Sequence, residues 1–96
     1  MGATRTELKI RVEQPDARRL KALGVIDWPI WTKEPSTFEW HYDEQETCYI
    51  LEGEVTVATP EGEVTVRNGD LVTFPKGLDC TWHITKAVRK RYRFGY

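Results

Sequence analysis

The side chains best suited to metal binding or nucleophilic chemistry are few in this chain: Cys48, Cys80, His41 and His83. Two thiols are too few for a disulfide framework and cannot form a four-cysteine zinc site. So few cysteines favour a reducing compartment, and we expect a cytoplasmic protein. We expect each histidine to be an isolated surface residue.

Two short stretches have a more informative spacing. The first, ETCYILEG, starts at Glu46, and Gly53 follows after six intervening residues. The second, GDLVTFPKG, starts at Gly69, reaches Pro75 after five residues and ends at Gly77. Each stretch is typical of a strand that runs into or out of a glycine turn. Strands are therefore expected to position the glutamate and the thiols.

The remaining patterns predict an all-β protein with one helix. Residues 8–12 alternate apolar and polar side chains, as a half-buried strand does. Residues 15–23 predict a short helix, with Pro15 at its first position and Gly24 as its stop. After Gly24, turn signals recur at short, even intervals, which is typical of a β-sandwich or β-barrel.

Length and charge limit the classes of protein that fit. We expect a single domain over residues 1–96, with a strand and the helix in residues 1–27 and a barrel in residues 28–96. The net charge of −1 gives no field that attracts nucleic acid. No apolar run approaches the roughly 20 residues of a membrane span. We therefore expect neither a nucleic acid nor a membrane partner.

The framework spacing resembles the two motifs of the cupin superfamily, G-x5-H-x-H-x3-4-E-x6-G and G-x5-P-x-G-x2-H-x3-N. Glu46 and Gly53 match the end of the first motif; Gly69, Pro75 and Gly77 match the start of the second. The chain is similar to the small cupins grouped with the ureidoglycine aminohydrolase and the ethanolamine-utilisation cupins. Other residues that carry this similarity are Trp28-Pro29-Ile30-Trp31, residues 38–42, Cys80 and Trp82. The resemblance implies a jelly-roll-like antiparallel barrel with an internal pocket.

The resemblance also implies which side chains face the barrel interior. The motif glutamate of cupins points inward, and alternation along the strand then places Cys48 and Ile50 inward with Glu46. Tyr49 and Leu51 face outward, where the N-terminal segment or a partner subunit is expected to cover them.

Two registers are open for the preceding strand. A three-residue spacer before the glutamate selects Trp40 and Tyr42 as the inward pair, whereas a four-residue spacer selects Glu39 and His41. We favour the first, because it buries two large aromatics and leaves the other two side chains in water. In the later strands, alternation places these residues inward: Cys80, Trp82, Ile84, Val88, Lys90, Tyr92 and Phe94.

The resemblance argues against a tightly bound metal. A metallocupin site uses three histidines and a glutamate, and here Trp40, Tyr42 and Cys80 stand at the histidine positions. We therefore expect no cofactor. The alternative is a degenerate site in which Glu46 and Cys80, with Cys48, bind zinc or another divalent transition metal.

An inward glutamate is costly to bury as a charge, and three arrangements would relieve that cost. Glu46 could take up a proton, pair with Lys90, or accept hydrogen bonds from Tyr42 and Trp82. The candidate catalytic residues are Glu46 as a general acid or base, with Lys90, and Cys80 as a nucleophile or a buried apolar residue. The candidate pocket residues are Trp40, Tyr42, Cys48, Trp82 and Tyr92.

Three functional readings follow. The first is a cupin that binds a small molecule, and acts as a metal-independent enzyme on a nitrogenous or carbonyl compound if it is an enzyme. That substrate class is implied by the resemblance alone. The second is a metallocupin with the degenerate ligand set, and the third is a non-catalytic dimerising module with a filled barrel. We expect a homodimer, because a small barrel leaves sheet edges and outward apolar side chains to cover.

Overall fold

The computed structural model describes residues 8–95, and antiparallel strands dominate them. The strands are β1 (Arg11–Glu13), β2 (Ile30–Lys33), β3 (Ser36–His41), β4 (Glu46–Thr59), β5 (Gly62–Arg67), β6 (Leu71–Phe74) and β7 (Asp79–Phe94). One helix, α1 (Ala17–Leu23), and a single 3-10 turn, Val25–Asp27, precede β2. No helix in residues 8–95 is long and apolar enough to cross a membrane. The prediction of a mainly β protein with one short N-terminal helix is confirmed.

The helix begins at Ala17, two residues later than the sequence predicts. Asp16 is the N-cap, and its carboxylate accepts a hydrogen bond from the backbone N–H of Arg19 at 2.9 Å. Pro15 therefore precedes the cap and is not the first helical residue. The boundary is set by Asp16, because its carboxylate satisfies one of the free backbone N–H groups in the first turn of the helix. Gly24 ends the helix in the left-handed conformation, as predicted.

The long strands β4 and β7 organise the sheet. The strand order is β1-β6-β4-β7-β2, with β3 paired to β7 and β5 paired to β4. The first half of β4 lies between β6 and the last half of β7, and its second half lies between β5 and the first half of β7. Both strands therefore change partners near their middle.

The change of partners falls at Gly53, which does not form the predicted turn. The strand continues through Gly53, and the pairing of β4 with β7 shifts register on both sides of it. Its φ is +101°, and a Cβ placed there would clash with the carbonyl oxygen of Ala87. Glycine is needed at this position because the backbone bends and two strands come very close together.

Two apolar clusters lie on opposite faces of the sheet. The inner face, which carries the larger cluster, includes Tyr42, Cys48, Ile50, Val55, Val57, Val66, Val72, Phe74, Leu78, Cys80, Trp82, Ile84 and Val88. The outer cluster contains Val25, Trp28 and Leu71, with Leu20, Leu23 and Tyr49 packed against it. Of the two predicted covers for Tyr49, the structure shows the N-terminal segment.

The first predicted strand is shorter than its alternation suggests. Only Arg11–Glu13 pairs, with β6. Leu8 and Ile10 precede the strand and pack against the inner cluster, whereas Val12 is exposed. The apolar pattern in this segment therefore reflects packing more than strand pairing.

Candidate functional site

Glu46 and Lys90 form a buried ion pair on the inner face. The ammonium of Lys90 donates to Oε2 of Glu46 at 2.5 Å, and the two residues are only 6% and 3% exposed. Lys90 is paired opposite Ile50, and Glu46 is paired opposite Phe94. The long lysine side chain therefore extends along the strands to reach the carboxylate. Of the three arrangements left open by the sequence, the structure shows pairing with Lys90.

Aromatic rings surround the ammonium group of Lys90. Its nitrogen lies 4.7 Å from the ring centroid of Trp82, 4.9 Å from that of Trp31 and 6.0 Å from that of Tyr92. Trp31 is the direct partner of Lys90 in the register of β2 on β7. Rings at these distances attract a cation, and together with the carboxylate they offset the cost of burying it.

A cavity of about 230 Å³ opens beside this ion pair. Its described lining consists of Trp31, Phe38, Trp40, Tyr42, Glu46, Trp82, Lys90, Tyr92 and Phe94. Seven of these nine residues are aromatic, and the other two are the ion pair. Apolar and aromatic walls with a few polar groups are typical of small-molecule sites.

The cavity walls are held together by ring contacts and one hydrogen bond. Tyr42 stacks on Phe74 at 4.8 Å, and Trp82 lies 5.6 Å from the same ring. The indole N–H of Trp82 donates to the hydroxyl of Tyr42 at 3.2 Å. Phe38 stacks on Trp82 at 6.0 Å. These contacts fix the orientation of Trp82, whose ring also faces Lys90.

The rim of the cavity is apolar and accessible to solvent. Trp40 is 49% exposed and Phe94 is 47% exposed, although both line the cavity. The three-residue spacer correctly predicts that Tyr42 is buried and His41 exposed. Trp40 differs from its predicted interior position, because it lies near the end of β3, where the cavity opens.

The structure brings most of the predicted pocket residues together but separates the thiols from them. Tyr42, Trp82 and Tyr92 line the cavity with Trp40. Cys48 is fully buried in the inner cluster and does not reach the cavity. Cys80 lines a separate shallow groove with residues such as Ala58, Pro60 and Asp79. The side chains of both cysteines lie on the inner face, as alternation predicts, but neither lines the cavity beside Glu46 and Lys90.

Three further cavity residues were not among the sequence candidates: Trp31, Phe38 and Phe94. Alternation along β7 already placed Phe94 on the face of Lys90, so a signal existed for that residue. Trp31 and Phe38 enter because β2 and β3 pair with β7 so that Trp31 lies opposite Lys90 and Phe38 opposite Trp82. No local pattern predicts that long-range register.

The thiols are in their protonated form near neutral pH. Burial raises the pKa of Cys48 to about 12, partly opposed by the positive charge of Lys90. Burial, with the negative charge of Asp79, raises the pKa of Cys80 to about 11. Because the thiolate is the nucleophile, the structure does not support the candidate nucleophilic role of Cys80.

The donor set fits a transition metal poorly. No three histidine, cysteine, aspartate or glutamate side chains converge as a metal site within residues 8–95. Glu46 is engaged by an ammonium group, which repels a metal cation from the same carboxylate. Both histidines are exposed: His41 contacts Asp79 at 2.7 Å, and His83 contacts Thr37 at 2.6 Å.

The antiparallel fold, the motif spacing and the aromatic site define a small cupin. The family model of the EutQ-like cupin domain matches residues 20–92, and the chain belongs to this family. Comparison with curated proteins yields no match.

Solved structures support this assignment. A DUF861 family protein from Thermotoga maritima is 51% identical, with a TM-score of 0.88 over 91% of this chain and 100% of that one. A EutQ (putative ethanolamine utilization protein Q) from Salmonella typhimurium is 25% identical and the EutQ of Clostridium difficile 22%, each with a TM-score of 0.63 over 68% of this chain. The chain spans about half of these two proteins, 53% and 52% respectively. The Clostridium protein is similar in fold alone.

Proposed function

We propose that this cupin binds a small molecule in the aromatic cavity beside Glu46 and Lys90. The observation that carries the proposal is a buried, neutralised ion pair in the wall of a cavity with an accessible aromatic rim. Protein cores are closely packed, so a cavity of about 230 Å³ at this position favours a binding site over a barrel that is simply filled by side chains. In this proposal the strands close into a cupin-type barrel around the ligand.

Binding is favoured over metal-independent catalysis by the state of the candidate catalytic groups. The carboxylate of Glu46 is already paired with Lys90, so it is not free to accept a proton from a substrate until that contact opens. Burial keeps the thiols protonated, and it also raises the pKa of Tyr42. A reaction on a nitrogenous or carbonyl compound would have to begin by displacing the lysine from the carboxylate.

The proposal is tested by a thermal-shift screen of compounds with a single ring or a comparable size. Each compound that stabilises the wild-type protein is measured again on Trp40→Ala, which removes one wall of the rim. The matched control is Ile26→Ala, which removes an exposed side chain (75% exposed) outside the cavity lining. We expect stabilisation to be lost in the first variant and kept in the second.

Two results would contradict the proposal. One is a screen in which no compound stabilises the wild-type protein. The other is a set of compounds that act equally on wild type and Trp40→Ala, since these would bind elsewhere on the surface.

A further inference from the structure

We propose that the ligand is a small, planar, uncharged compound that presents an N–H donor and a C=O acceptor side by side, as a cyclic amide or cyclic urea does. This inference rests on the proposed function and specifies the ligand class of the same cavity. Its basis is the juxtaposition of one cationic donor and one anionic acceptor, Lys90 and Glu46, in an otherwise aromatic lining.

The charge of the lining selects against ions. Of the nine lining residues within the described chain, only Glu46 and Lys90 are of charged type, and their ion pair has no net charge. A carboxylate ligand would meet the repulsion of Glu46, and an ammonium ligand that of Lys90. A neutral ligand avoids both penalties and leaves the ion pair in place.

The hydrogen-bonding capacity of the pair matches a ligand with both a donor and an acceptor. A lysine ammonium has three N–H donors, and a carboxylate accepts at several lone pairs, so one mutual bond leaves capacity on each group. The two groups are 2.5 Å apart, so their remaining sites are adjacent. In a cyclic amide the ring holds the N–H and C=O on the same side, and both can reach the pair together.

The walls select for shape and size. Trp31 and Trp82 meet edge to face at 6.0 Å, and Phe38 stacks on Trp82, so flat ring surfaces bound the space. A flat ligand has the best contact with such surfaces. The volume of about 230 Å³ lies below that of drug-sized sites, which favours a compound of about one ring. Such a ligand would also cover part of Trp40 and Phe94.

Four probes test this class by titration, with tryptophan fluorescence and calorimetry as readouts. The first is 2-pyridone, a flat ring with adjacent N–H and C=O. N-methyl-2-pyridone lacks the donor, toluene lacks both polar groups, and benzoate carries a charge. We expect 2-pyridone to bind about tenfold or more tightly than each of the others, since hydrogen bonds to charged partners contribute most.

The variant Glu46→Gln should change the affinities of two probes in opposite directions, which a non-specific apolar site would not do. Glu46→Gln leaves Lys90 without its neutralising charge, so benzoate should gain affinity about tenfold while 2-pyridone loses affinity. Near-UV circular dichroism checks that the variant is folded. If it is not, the order of the four probes on the wild-type protein decides the question.

The outcomes separate the ligand class from the proposed function. If N-methyl-2-pyridone or benzoate binds wild type as tightly as 2-pyridone, the class is wrong and the small-molecule function stands. If none of the probes binds and the thermal-shift screen also finds nothing, both proposals are wrong. Preferential binding of 2-pyridone, with the reversal in Glu46→Gln, supports both.

Discussion

The ammonium of Lys90 lies 2.5 Å from the carboxylate of Glu46, although the two residues are 44 positions apart in the chain. Each residue would be costly to bury alone, and the pair is enclosed by the rings of Trp31 and Trp82. The same contact sets the character of the cavity, because it places a cationic donor and an anionic acceptor side by side with no net charge.

The first prediction is energetic coupling between Glu46 and Lys90. Glu46→Gln and Lys90→Met should each lower the free energy of unfolding by about 2–4 kcal/mol, because each leaves an uncompensated buried charge. The double variant should lose much less than the sum of the two. Denaturant midpoints of the four proteins give the coupling energy.

The matched control for this cycle is an exposed pair in the same two strands. Arg89 and Glu52 lie 3.6 Å apart with both side chains largely in solvent. Their cycle should give a coupling of about 0–1 kcal/mol. Equal coupling in the two cycles would mean that burial does not govern the inner pair.

The second prediction concerns Gly53. Gly53→Ala and Gly69→Ala both place a side chain at similar positive φ, +101° and +93°, and the backbone strain should cost each about 1–2 kcal/mol. Only the first also clashes with the carbonyl of Ala87, whereas the space beside Gly69 is open. Gly53→Ala should therefore lose about 1–3 kcal/mol more, by urea denaturation. Equal losses would show that the strands separate there without cost.

The environments of Gly53 and Trp31 could not be predicted from the sequence. Alternation within β4 places Glu46 inward, and alternation within β7 separately places Lys90 inward, because side-chain parity is a local property of each strand. A glycine between strand residues looks like a turn, and only the close approach of Ala87 shows that it is a bend within β4. The position of Trp31 beside Lys90 depends on pairing between distant strands, which no local pattern specifies.

The third prediction is that the protein holds no tightly bound transition metal. Trp40, Tyr42 and Cys80 offer no ionised donor near neutral pH, and Glu46 is paired with Lys90. Protein purified without a metal-affinity tag and dialysed against a chelator should contain far less than one equivalent by elemental analysis. About one equivalent that survives dialysis would contradict this and favour the degenerate metal site.

The fourth prediction is a homodimer that uses the edge of β2. This strand pairs with β7 on one side, no described strand pairs with its other side, and Ile30 on it is exposed. Free strand edges with apolar side chains favour self-association. Light scattering should give twice the chain mass of 11.2 kDa, and Ile30→Lys should shift it towards one chain mass. A monomer in the wild-type protein would refute the prediction.

The fifth prediction is that ionisation of Cys48 lowers the stability of the folded protein at alkaline pH. Burial raises its pKa from 9.0 to about 12, so the folded state holds the thiol proton more tightly than the unfolded state does. The stabilisation is complete below the unfolded pKa and is lost as pH rises towards the folded one. From about pH 9 to about pH 10, Cys48 alone should lower the free energy of unfolding by about 1 kcal/mol.

Other groups also titrate in this range, so the measurement is a difference between two proteins. Urea unfolding of wild type and Cys48→Ala is followed at several pH values from neutral to alkaline. The variant is less stable at neutral pH because it leaves a cavity, but its stability should fall less steeply above pH 9, as it lacks the thiol. Parallel curves would mean that the thiol ionises as readily in the folded protein as in the unfolded chain.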